Sequence, residues 1–175
     1  MAVSEMSEQQ LRQMLEIASV HCERVFARDG DVTPMWHAVS ANGDHLIEPH
    51  PTMFEKPLAA ALMRALFEVF DVVRCVYVGE GWTVDARGSD SDPKVKAALE
   101  AARRGQVDQH PDRVEVVILM GEDRDAGLIN AQRRIVRPEN RKPYLGALEI
   151  VVRPGNGWQS SGLMVGMLPA RGTRQ

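Results

Sequence analysis

Apolar and polar residues follow one another along this chain in blocks whose period changes, and the densest apolar block lies past the middle. From Val114 to Met120 six of seven residues are apolar and four are β-branched, directly after the turn-forming His110-Pro111-Asp112. Such a run predicts a strand buried on both faces and central in a sheet. Val114, Val116, Ile118 and Met120 point one way, and Glu115, Val117 and Leu119 the other.

Three other blocks have the period of a helix. Leu11, Leu15, Ala18, Cys22 and Val25 recur at steps of four and three, between a capping-box spacing at Ser7 and Gln10 and a stop at Gly30. They predict an amphipathic helix of about five turns, with Arg12, Glu16, Glu23 and Arg24 on its wet side. The repeat could also serve as a dimer seam, although about two heptads fall short of a coiled coil. Pro57 to Phe70 is almost wholly apolar. Leu58, Leu62, Ala65, Leu66 and Val69 make one face, Met63, Phe67 and Phe70 widen it, and Arg64 and Glu68 mark the edge. A helix so poor in polar residues must be covered on more than one side, by the sheet and by either the first helix or a partner subunit. The third helix runs from Lys94 to Arg104 behind an Asp92 cap and Pro93, with Val95, Ala98, Leu99 and Ala102 on a narrow face.

The remaining blocks read as strands. Met35–Ser40 and Asp44–Glu48 flank Asn42-Gly43, the pair favoured in a two-residue type I′ hairpin. That turn sets Ala41 opposite Asp44, Val39 opposite Leu46, His37 opposite Glu48 and Met35 opposite His50. Val72–Val78 is followed by Gly79 and Gly81, which permit a bulge or close backbone approach, so a bend is expected before the strand continues to Val84. A turn at 121–127 leads to Leu128–Val136, with Ile129, Ala131 and Ile135 on a dry side and Asn130, Gln132 and Arg134 on a wet one. Leu145–Val152 and a glycine-weakened Trp158–Leu168 complete the set.

Short connections make neighbouring strands antiparallel. The expected fold is α+β: a single antiparallel (mixed) sheet of about six or seven strands with two to three helices. Residues 1–175 are expected to form one domain, with 86–111 as a surface insertion carrying a short helix. The order of two strands, a helix, then three or more strands resembles the profilin, PAS and GAF group of sensor-like folds, and that resemblance implies binding of a small ligand or a partner.

Composition narrows the partners. The chain is 44% hydrophobic and 26% charged, and its net charge of −3 is spread as mixed signs, which argues for neither nucleic acid nor an anionic membrane as partner. Cys22 and Cys75 lack any CxxC spacing and read as small core residues of a reducing compartment. The acidic start MAVSEMSEQQ has no signal-peptide pattern, and the longest apolar run is interrupted by Arg64, so a soluble, cytoplasmic protein is expected.

Two groupings carry possible chemistry. The expected hairpin register gathers His37, Glu48 and His50 on one face, the ligand types of a non-haem iron or catalytic zinc site; the plainer reading is a His37–Glu48 cross-strand hydrogen bond. Glu80 and Trp82, two apart, put a carboxylate beside an indole. With Glu115 and Arg113 they could line a ligand cleft, or a Glu and a Trp could simply sit at an edge. Asp123, Asp125 and Gly127 match only part of a calcium loop. The chain has no phosphate-binding glycine loop, nucleophile elbow or paired Cys/His ligands, and no cofactor is expected. The expected function is therefore a non-catalytic binding or assembly domain that self-associates as a homo-oligomer. The alternatives are a small-ligand protein or enzyme using Glu80 and Glu115, and a metal site at His37, Glu48 and His50.

Overall fold

The computed structural model describes residues 3–84, 91–152 and 165–168. Its centre is one antiparallel sheet in the order β2-β1-β3-β4-β5-β6, built from β1 (Met35–Ser40), β2 (His45–Pro49), β3 (Val72–Thr83), β4 (Val114–Asp123), β5 (Gly127–Val136) and β6 (Tyr144–Val152). The helices are α1 (Val3–Asp29), α2 (Lys56–Val69) and α3 (Pro93–Arg103). The fold is α+β, as the pattern predicts. The proposed last strand at 158–168 falls mainly outside the described residues, and 165–168 is not strand.

The apolar block at 114–120 is β4, which lies between β3 and β5 and continues three residues further to Asp123. Val116 and Val117, adjacent in sequence and on opposite faces, are both fully buried. Alternate residues of β3 belong to two separate cores. Val76 and Val78 join Val117, Leu119, Ile129 and Ala131 under α1, which contributes Leu11, Leu15, Cys22 and Phe26. Cys75 joins Trp36 and Ala38 under Met63 and Phe67 of α2. The two helices therefore cover opposite faces of the sheet.

The helix α1 is 27 residues long and starts before Ser7, which is a buried residue within it and not its cap. It stops where expected: Gly30 turns to a φ of 83° and donates its N–H to the Phe26 carbonyl at 2.8 Å. Arg133 of β5 fastens the helix to the sheet. It is buried, and it donates to Glu23 at 2.9 Å and to the Gly146 carbonyl at 2.6 Å.

Two expectations about facing are corrected. In α2 the sheet-facing side is Ala59, Ala60, Met63 and Phe67, while Leu58, Leu62 and Val69, read from sequence as one apolar face, point to solvent. The reason is Trp36: its large buried ring rises from β1 and meets the Phe67 ring edge-on at 5.3 Å. Small residues at Ala59 and Ala60 are what allow the backbone of α2 to sit close to the sheet.

The second correction is the hairpin register. The pairs are Met35–Pro49, Trp36–Glu48, His37–Ile47, Ala38–Leu46 and Val39–His45, one residue away from the expected set. A type I′ turn needs positive φ at both central residues, but Asn42 is not among the residues with positive φ, and Gly43 alone adopts it, at 85°. The Gly43 N–H bonds to the Ser40 carbonyl at 3.0 Å and Ser40 pairs with Asp44 across a three-residue loop. The Ser40 hydroxyl stabilises this loop by accepting from the Asn42 and Asp44 amides at 3.2 and 3.1 Å. A one-residue slip moves every side chain to the other face.

Among the described residues no helix is long and apolar enough to cross a membrane.

Candidate functional site

The strand β3 pairs with β4 without interruption from Arg74–Asp123 to Thr83–Val114, so the bulge that Gly79 and Gly81 permit is absent. The glycines serve close approach instead. A side chain at Gly79 would collide with the Tyr77 ring lying along the strand, and one at Gly81 would come within 2.8 Å of Ile118. Regular pleating then keeps Glu80 and Trp82 on one face, and Glu115 faces Trp82 across the ladder. The Arg113 guanidinium carbon lies 5.0 Å from the centre of the Trp82 ring. The four ligand candidates read from sequence thus come together, and Glu80, Trp82 and Glu115 line an open cleft of about 500 Å³ with Lys56, Val107 and Asp108.

The two glutamate carboxyls of this cleft differ. Partial burial pushes Glu80 above the usual carboxyl range, helped by the nearby Glu115 and Asp31 and opposed by the Val32 N–H, which donates to it at 2.8 Å, and by Arg137. Glu115 is held below that range by Arg137, which donates to both of its oxygens at 2.7 and 2.9 Å. Burial and the Arg137 pair thus push the two carboxyls in opposite directions, a difference of the kind that proton handling uses. Glu80 also has a structural task, since its bond to Val32 ties the α1–β1 connection to the sheet.

The metal candidates are not brought together. Glu48 lies opposite Trp36 and His37 opposite Ile47, so Glu48 and His37 occupy different faces of the hairpin. His50 accepts a hydrogen bond at Nδ1 from the Trp36 indole at 3.1 Å, and its ring meets Tyr77 at 5.6 Å. Partial burial lowers its pKa. The residue that joins His37 is His45, with Nε2 and Nδ1 2.8 Å apart. The sequence reading missed His45, although the Ser40 hydroxyl and the Gly43 turn were signals for the register that puts it there. The calcium fragment has a different role: one oxygen of Asp123 accepts from the Asp125 and Ala126 amides and the other from Arg74. Both thiols are buried, and burial pushes Cys22 up to about 11 and Cys75 well above its usual range, so neither is a ready nucleophile.

A third feature is surface, not cavity. On the outer side of α2, Leu58, Ala61, Leu62, Ala65 and Val69 are all exposed, an apolar stripe at intervals of three and four residues. Met53 and Phe54, just before the helix, are exposed as well. Because α1 packs under the opposite face of the sheet, it does not cover this stripe. Comparisons with protein-family models, with curated proteins and with solved structures find no match to this chain.

Proposed function

We propose that this chain is a non-catalytic binding or assembly domain that self-associates, and that a second copy packs on the outer face of α2. The observation carrying the reading is the apolar stripe, on which Leu58 is 50%, Leu62 43% and Val69 80% exposed. Met53 and Phe54, 79% and 45% exposed just before the helix, add to this apolar surface. The composition of the stripe favours a second copy as the occupant. Antiparallel packing about a two-fold axis midway between Ala61 and Leu62 sets Leu58 over the second copy's Ala65 and Leu62 over its Ala61, large side chain against small at both pairings. Light scattering over a range of concentrations tests this. The wild type should approach twice the chain mass and Leu62→Glu should remain a folded monomer; a wild type that is monomeric at every concentration contradicts it.

A second reading, binding of a small cationic ligand in the cleft, is supported by the exposed Trp82 ring and the Glu80 and Glu115 carboxyls that line it together. A panel of guanidinium and quaternary ammonium compounds should then raise the melting temperature of the wild type and not that of Glu80→Gln. Equal responses in both proteins would remove this reading.

A further inference from the structure

The register that separates His37 from Glu48 creates a different pair. His37 Nε2 and His45 Nδ1 are 2.8 Å apart and share a hydrogen bond, with ring centres 5.1 Å apart and planes 32° from parallel. Zinc binds imidazole nitrogen at about 2.0–2.1 Å, so two such ligands at a tetrahedral angle stand about 3.3 Å apart. Admitting the ion takes an opening of about half an ångström and a turn of both rings toward it. His45 is exposed and His37 only half-buried, so both rings have room for that movement. The hydrogen now shared between the rings is released to solvent while the far nitrogen of the same ring takes one up. This tautomer change involves no net loss of a proton.

A structural zinc ion takes four ligands, and among the described residues no group of three or more His, Cys, Asp or Glu is placed to hold a metal. The pair is therefore half of a ligand set. Its position suits a second half from outside. It sits on the hairpin of β1 and β2, and among the described residues β2 is the edge strand of the sheet, with no strand paired on its outer side. On the same face Ile47, directly opposite His37, is 61% exposed. Two copies meeting at this edge would supply four imidazoles and cover two isoleucines.

We propose that His37 and His45 form one half of an intermolecular zinc site, completed by the same pair from a second copy. This contact is on the sheet face opposite α2, and it does not depend on the α2 reading. The test uses chelator-stripped Leu62→Glu protein, or the wild type if that proves to be a monomer, titrated with zinc by calorimetry and light scattering. The expected result is half a zinc per chain with a doubling of mass. Both should be lost in His37→Ala and in His45→Ala, whose circular dichroism should be unchanged. Three results would overturn the proposal: no saturable zinc uptake, one zinc per chain without a change in mass, or zinc-driven association that survives His45→Ala.

Discussion

Removal of the Asp123 carboxylate should be among the most damaging single changes to this fold. The residue is 4% exposed and serves two structures at once. Its Oδ2 accepts from the Arg74 guanidinium at 2.7 Å, and its Oδ1 accepts from the amides of Asp125 and Ala126 at 2.8 and 2.9 Å, closing the β4–β5 turn. Asp123→Ala leaves Arg74 buried without its counter-charge, a loss of about 3–5 kcal/mol. That is a large part of the 5–15 kcal/mol that holds a typical domain together. Asp123→Asn keeps an oxygen for the turn and should lose less, about 1.5–3 kcal/mol for the charged hydrogen bond. Arg74→Met should also cost less than Asp123→Ala, because the remaining carboxylate still accepts from two amides. The double variant Arg74→Met/Asp123→Asn should recover part of the sum, with a coupling of about 0.5–3 kcal/mol. Urea unfolding followed by far-ultraviolet circular dichroism measures all four. A loss under about 1 kcal/mol in Asp123→Ala, or strict additivity in the double variant, would refute the reasoning.

Two further outcomes test the hairpin and the cleft. Because only Gly43 of the loop has positive φ, Gly43→Ala should cost about 1–2 kcal/mol, whereas Asn42→Ala should stay within about 0.5 kcal/mol; comparable losses at both positions in urea titrations would restore the two-residue turn and its register. Glu80 has a folded pKa raised above its ordinary 4.5 by partial burial, so its contribution is fully present below pH 4.5 and is lost as pH rises through the folded value. Glu80→Gln should therefore be the more stable protein near neutrality, with the difference closing on acidification toward 4.5 in thermal melts. A difference that widens on acidification would mean the carboxyl is shifted the other way.

The parts of the fold that were legible in the sequence are those where one interaction dominates. The buried strand β4, the α1 stripe and its Gly30 stop follow from burial period and backbone chirality alone, and the structure keeps them. That Glu80 and Trp82 share a face depends on an unbroken pleat, which the sequence left open because Gly79 and Gly81 also permit a bulge. The orientation of α2 was not legible. Its residues are apolar all round, so period could not choose a side, and the choice fell to Trp36, which sets the depth at which Ala59 and Ala60 fit. The hairpin register turned on a single residue. Asn42-Gly43 favours a two-residue turn, but the Ser40 hydroxyl, bonded to two loop amides, stabilises the three-residue form. That one difference replaces Glu48 with His45 beside His37.

Self-association through the outward face of α2 is read by molar mass from light scattering across a dilution series, in chelator so that zinc plays no part. The account predicts a wild type that moves from one chain mass toward two as concentration rises, and a Leu62→Glu variant that stays at one with unchanged circular dichroism. A wild type fixed at one chain mass, or a Leu62→Glu variant that associates as strongly as the wild type, would contradict it.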